Sequence, residues 1–339
     1  MPAARRAGRS GIVKVYVLHE NPEWFEPVGT ALADAGVPYE QWLLGDRAVD
    51  ISEPPPAGVF WSRMSASSHT RGHPHAKDQT RGVLSWLESH GRRTVNGRRV
   101  LDLEMSKVEQ HAALRAAGFD VPRTIADAGT AELPAAARKI GLPFIAKHNQ
   151  GGKGLGVRLF ESHDEFAGYL AGPELEPPVD GITLLQEYLR AAEPRITRAE
   201  VVGGEFIYAI SADTARGGFQ LCPADACAVG GGGADHGAPD HRAPDHGAAP
   251  SLFTLRDGFD HPVIGRYLAF AASRGIEIAG FEFIETADGR LVTYDINTTT
   301  NYNAQIEAAA PRRAQQAVAR YLGRLLDAER ALATAGKAA

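Results

Sequence analysis

Cysteine is almost missing from this chain: Cys222 and Cys227 are the two among 339 residues. That excludes a disulfide framework, which a chain of this length does not need. Long apolar runs are missing as well. No stretch approaches the ~18 uninterrupted apolar residues of a membrane-spanning helix, and Arg5, Arg6 and Arg9 are followed by no apolar segment that reads as a signal peptide. The expectation is a cytoplasmic protein without membrane attachment. Nor is there an excess of one charge: the net charge is −5 with acids and bases interspersed, which leaves no broad positive face for the phosphates of a nucleic acid. What is present, 44% apolar and 23% charged residues, is ordinary globular composition with length for two or three domains. Small-molecule chemistry is the class that remains.

Strand and helix signals alternate at the start. IVKVYVL (12–18) reads as a buried strand, PEWFEPVGTALADAG (22–36) as a helix stopped by Gly36, and YEQWLL (39–44) and AGVFWSRM (57–64) as further strands. With the helix GVLSWLESHG (82–91), residues 11–100 form a small open α/β domain after a frayed tail at 1–10. Past Asn96-Gly97, LEMSKVEQHAALRAAG (103–118) reads as one helix ending at Gly118, with Pro122 marking a boundary. Strands then dominate: LPFIAKHNQ (142–150), RLF (158–160), LLQEYL (184–189), ITRAEVVGGEFIYAIS (196–211) and the hairpin at 281–297, with a helix over 261–275. Residues 228–250 repeat Ala-Pro-Asp-His with almost nothing large and apolar, which reads as a disordered loop.

The last hairpin allows geometry to be derived. Asp288-Gly289 suits a two-residue type I′ turn, which pairs 287 with 290 and, counting outward, Glu282 with Asp295. Asn297 then shares their face, while Phe281, Phe283, Tyr294 and Ile296 face the core. Two carboxylates across a pair repel unless a cation lies between them, and oxygen donors that only partly fill a shell suit magnesium. A wet sheet face with unrelated acids is the other reading.

The tip GGKGLGV (151–157) brings backbone N–H groups within reach of phosphate oxygens, because glycine leaves nothing in the way. It is neither GxxxxGK[ST], since glycine follows Lys153, nor GxGxxG opening a helix, so P-loop and dinucleotide readings fail. By itself it reads as an ordinary flexible hairpin. Lys147, in the apolar strand FIAK, suits either a buried anion or a snorkelling side chain.

Ser106-Lys107, Leu114, Gly118, Pro122 and Thr124, the PFIAK strand, the glycine loop, QEYL, TRAEVVGG and FEFIE…YDIN follow in the order and spacing of an ATP-grasp enzyme. The chain resembles the ribosomal-protein glutamate ligase and glutathione synthetase branch over roughly residues 96–325. The resemblance implies a mixed α/β and α+β fold: the open α/β domain, then a two-lobed ATP-grasp fold with lobes over 101–190 and 191–330. It implies ATP and one or two Mg2+ ions, with Mn2+ as an alternative. Lys107 and Lys147 would contact phosphates, and Gly151, Gly152, Lys153, Gly154 and Gly156 would close over them. Gln186, Glu187, Tyr188 and Leu189 would border the adenine, Glu193 would hold the ribose, Arg198 would face the reacting phosphate, and Glu282, Asp295 and Asn297 would hold the metal.

The implied reaction joins a small-molecule or peptide carboxylate to an amine through an acyl phosphate. A kinase using the same nucleotide site and a non-catalytic nucleotide-binding module stay open as alternatives. Homodimers occur among such ligases, though no segment identifies an interface here. For the substrates, Arg63, His69 and Arg71 in WSRMSASSHTRGHPH (61–75) could clamp a carboxylate, and Asn301 in TTTNYN (298–303) could shape the acceptor pocket, where the family often has a Ser-Pro-Gly turn. A polar surface loop is the plainer reading of 61–75. Cys222, Cys227, His236, His241 and His246 lack the spacing of a compact zinc site.

Overall fold

A computed structural model describes residues 12–152, 154, 156–218 and 251–338. Lys153, the tail at 1–10, the loop at 228–250 and the residues weighed for zinc (Cys222, Cys227, His236, His241, His246) lie outside the described residues. Among the described residues no helix is long and apolar enough to cross a membrane.

The first unit comprises β1 (Lys14–His19), α1 (Pro22–Asp34), β2 (Tyr39–Leu43), β3 (Gly58–Ser62), α2 (Ala76–Ser89) and β4 (Arg93–Val95). Asn21 caps α1 by accepting from the Trp24 N–H at 3.1 Å, and Pro22 occupies its first turn, where the missing N–H is no loss. The strands are parallel in the order β2-β1-β3-β4. Their carboxyl ends, the edge at which open α/β sheets bind ligands, present His19, Glu20 and Arg63.

Two helices follow, α3 (Arg98–Met105) and α4 (Lys107–Ala116). The sequence pattern reads as one helix, but Ser106 is extended (φ −138°, ψ 108°) and its Oγ accepts from the Glu109 N–H at 3.3 Å. A serine that can cap a new helix has interrupted an otherwise continuous helical pattern. The break puts Lys107 at the first position of α4.

Next come β5 (Thr124–Ala128), α5 (Leu133–Ile140), β6 (Phe144–His148), β7 (Arg158–Phe160), α6 (His163–Ala171) and β8 (Ile182–Glu187). They form an antiparallel sheet, β5-β8-β6-β7. One face packs Phe144, Phe160 and Leu185 against Leu133, Ile140 and Phe166 of the helices. The other carries Ile145, Lys147, Leu159 and Gln186 by alternation.

The rest of the described chain forms β9 (Arg195–Val202), β10 (Glu205–Asp213), α7 (Thr214–Gly217), β11 (Phe253–Leu255), α8 (Val263–Arg274), β12 (Ile278–Glu285), β13 (Leu291–Asn297), α9 (Ala304–Ala309) and α10 (Ala314–Ala338). The antiparallel sheet runs β11-β10-β9-β12-β13. Phe281 and Phe283 of β12 pack on Tyr267 and Phe270 of α8. α10 returns to the first unit, where Val318, Leu322 and Leu326 share a core with Val15, Val17 and Phe25.

Asn96 ties the first unit to β12. It is held at φ 50°, donates to Ile278 O (2.8 Å) and Thr298 O (3.2 Å), and accepts from the N–H groups of Glu277 (3.0 Å) and Ile278 (3.3 Å). Asn96→Ala therefore removes this partner from four backbone groups, three of them in buried bonds, and is expected to lower unfolding free energy by about 2–4 kcal/mol. Urea denaturation followed by circular dichroism checks this.

Candidate active site

The β5–β8 sheet and the β9–β13 sheet face each other across a cavity of about 770 Å³, within the usual range for small-molecule sites. Its polarity is graded by strand alternation. On β6 Lys147 is followed two residues away by Ile145, on β9 Arg198 by Ile196, and on β12 Glu282 by Ile284. One end is therefore charged, and the other is an aliphatic slot completed by Val157, Leu159 and Leu189. Tyr188 and residues 189–192 close that end.

The hairpin under the charged end departs from the derived register twice. The Gly289 N–H donates to Thr286 O (2.9 Å) and the Thr286 N–H to Arg290 O (2.9 Å), so three residues, 287–289, make the loop, with Gly289 left-handed at φ 83°. Glu285 then pairs with Leu291 rather than with the residue a two-residue turn implies. A bulge at Tyr294 restores the count, and Glu282 does face Asp295. The bulge also turns Tyr294 out of the core, where the sequence pattern put it, and its hydroxyl donates to Glu282 Oε2 at 2.9 Å.

Charge in this end is nearly balanced and mostly paired. Lys107 Nζ is 2.6 Å from Asp295 Oδ1. Arg198 lies on Glu200, with Nε 2.9 Å from Oε1 at an angle too bent for a hydrogen bond, and 3.6 Å from Glu282 Oε1. Thr300 Oγ1 accepts from Arg198 and donates to Glu200 at 2.9 Å. Gly280 makes room for this guanidinium, since a Cβ there would stand 2.3 Å from Arg198 Nε. Burial raises Glu282, and the Asp295 carboxylate opposite raises it further. Burial also lifts Glu104, which accepts from the Thr298 N–H and hydroxyl, to about 7.

Lys147 is the exception. It is 5% exposed, and its side chain has no hydrogen bond or ion pair to the described residues. Burial, helped by the neighbouring Lys107 charge, lowers it to about 7. On the same sheet face, Gln186 has a buried Oε1 with no donor among the described residues. Glu282 and Asp295, with the Asn297 amide, offer oxygen donors at one place. Among the described residues no cluster of three His, Cys, Asp or Glu side chains forms a ready metal cage. Two mutually repelling carboxylates and an amide fit a hard divalent cation whose remaining ligands come from substrate oxygens.

No protein-family model and no curated protein matches this sequence. Solved structures do. The ATP-grasp ligase PsnB with its minimal precursor superposes with TM-score 0.60 and 16% identity over 94% of this chain and 99% of that one. The RimK domain ATP-grasp protein of Sphaerobacter thermophilus gives 0.60 and 16% over 91% and 99%. The D-alanine–D-alanine ligase of Bacillus anthracis gives 0.60 and 14% over 94% and 100%. The chain has the ATP-grasp fold.

Of the residues singled out from sequence, the ATP-grasp cavity gathers Lys107, Lys147, Gly151, Gly152, Gly154, Gln186, Tyr188, Leu189, Arg198, Glu282, Asp295, Asn297 and Asn301 in its lining. Gly156 stands behind the loop, where a Cβ would meet the His148 ring at 3.2 Å. Glu187 turns away to accept from the Arg123 N–H (2.9 Å), and Glu193 pairs with Arg195 (3.0 Å) at the surface. The proposed clamp does not assemble. Arg71 is held by Glu20 and stacks on Trp24 (4.4 Å), His69 Nδ1 contacts Ala66 O (3.1 Å), and neither lines the cavity. Arg63 faces a smaller cavity next door.

The sequence reading missed Glu104, Glu200, Tyr294, Thr300 and the Ser65–Ser67 rim. Glu200 was within reach of it, two residues from Arg198 on one strand face. Tyr294 was not, because a bulge leaves no mark in alternation.

Lys147→Met should stabilise the free protein by roughly 1–3 kcal/mol below pH 7, where the ammonium is charged in both folded and unfolded chains and only the folded one bears the desolvation. Because the folded value is depressed, the unfolded chain binds the extra proton between about pH 7 and 10.5, and wild-type stability recovers over that window. The advantage of the variant should shrink accordingly in urea melts at pH 6 and pH 9.

Proposed function

We propose that this protein is an ATP-dependent carboxylate–amine ligase that works with magnesium and makes an amide or peptide bond on a small-molecule or peptide substrate. The observation that carries the reading is Lys147, a buried lysine with no ion pair among the described residues, set opposite Glu282 and Asp295 in an ATP-grasp cavity. The neighbouring structures support it in kind: PsnB was solved with Mg and ADP and with a precursor peptide and AMPPNP, the Bacillus anthracis ligase with ATP, and the macrocyclase MdnC with its precursor peptide.

In this reading the aliphatic slot takes the adenine, with backbone groups of 186–189 along its edge. Lys147 and Lys107 bind phosphate oxygens, and the backbone N–H groups of 151–154 approach them where glycine permits. Glu282, Asp295 and Asn297 hold the magnesium, which would offset phosphate charge. The terminal phosphoryl group passes to a carboxylate oxygen and ADP leaves. The amine then attacks the acyl carbon, loses a proton, and inorganic phosphate departs. Arg198, fixed by Glu200 and Thr300, stabilises the charge on the transferring group, so the protein contributes position and electrostatics rather than a nucleophile. The glycine loop rests against Ser67, whose Cβ would lie 3.4 Å from a Gly152 Cβ, and closure there keeps water from the activated acid.

ADP release with Mg-ATP across a panel of acids and amines, with mass spectrometry of the products, tests the proposal. The expected result is an amide that requires both co-substrates, with turnover reduced at least ~100-fold in Glu282→Gln. A phosphorylated single substrate would make the protein a kinase instead.

A further inference from the structure

A second cavity of about 360 Å³ lies beside the first and shares Trp24 and Asn301 with it as walls. It opens between α1 and the segment leading through α9 to α10, with Glu23, Ala304, Ala308 and Arg313 exposed at its mouth. Its inner wall is formed by Arg63, 3% exposed, and Tyr302, 9% exposed.

Arg63 is a buried cation with neutral partners. It donates to Trp24 O (3.1 Å), Thr300 O (3.0 Å) and Asn301 Oδ1 (3.2 Å), and no carboxylate among the described residues lies within ion-pair distance. Glu20, whose charge reaches it, is taken by Arg71. Glu307, also in the wall, is taken by the Tyr208 hydroxyl (2.6 Å) and the N–H groups of Ala314 and Gln315 (3.0 Å each). The buried Tyr302 hydroxyl has no hydrogen-bond partner among the described residues. An uncompensated guanidinium and an unused hydroxyl donor in one recess are the complement of an anion with two oxygens. Pro27 and Val28 on the α1 side would receive aliphatic carbon.

We propose that this second cavity binds a carboxylate that does not react, held by Arg63 and Tyr302, on the same molecule whose amine enters the main cavity past Asn301. This rests on the ligase reading and narrows it: the amine substrate is an amino acid or the peptide equivalent, a chain bearing a free C-terminal carboxylate. Asn301 is the positioning residue between the two recesses.

Calorimetric titration of the full chain with Mg-ADP present, using glycine, alanine, valine, phenylalanine and glutamate, their α-carboxamides and the matching dipeptides, tests it. At least one acid should bind at least ~10-fold more tightly than its carboxamide. Tyr302→Phe, which removes only an unpartnered hydroxyl, should cut that preference severalfold, and Arg63→Gln should abolish it. Because Arg63 also joins three segments, Tyr302→Phe decides if Arg63→Gln fails to fold. Binding of free amino acids alone, or of dipeptides alone, supports the assignment and names the source of the carboxylate. Equal binding of acid and carboxamide, no binding by any member, or a preference undiminished in Tyr302→Phe overturns it. The ADP affinity measured first in the same cell judges the nucleotide site separately.

Discussion

Lys147 is a buried lysine with no counter-ion among the described residues, which destabilises the folded chain, and the architecture of the cleft follows from tolerating it. The β6 strand that carries it is anchored on its other face by Phe144 and Ala146 in a core with Phe160, Phe166 and Leu185. That packing fixes the strand, so the side chain has nowhere to go but the cavity. Lys107, one helix away, is neutralised by Asp295, and Arg198 by Glu200. In this charged end, among the described residues, Lys147 is the buried cation left without a partner, which fits a site that trades stability for binding an anion.

Around that constraint the opposing sheet is built with equal economy. A three-residue turn and a bulge each shift the β12–β13 register by one, and together they leave Glu282 opposite Asp295. The bulge adds Tyr294 to the cavity face, where its hydroxyl holds Glu282. Gly280 leaves the space across which Arg198 reaches Glu200 and Thr300. These residues set the geometry of the charged end without needing to touch a ligand.

Much of this was legible in the chain itself. Alternation along FIAK, TRAE and FEFIE separates core from cavity faces, because a sheet covered by helices on one side leaves that period in its sequence. The Glu282–Asp295 pairing was derived correctly from an incorrect turn, the two departures having cancelled. The helix break at Ser106 was obscured because a serine suits both a helix surface and a cap, and only the cap geometry brings Lys107 to Asp295. The clamp expected of Arg63, His69 and Arg71 together does not assemble, for a different reason. Whether an arginine in a loop meets solvent, a carboxylate or a carbonyl depends on contacts more than 200 residues away, such as Arg63 with Thr300, and a local pattern does not carry them.

Burial, with the Lys107 charge beside it, leaves Lys147 prone to lose its proton until an anion enters. Calorimetric titration of Mg-ADP at pH 8, in buffers of differing ionisation enthalpy, measures it most directly. An anion beside Lys147 raises its proton affinity, so binding should take up a proton at that pH, and the uptake should vanish in Lys147→Met. Binding of Mg-ADP with no proton uptake, or with the same uptake in the variant, would contradict the account, as would no binding at all.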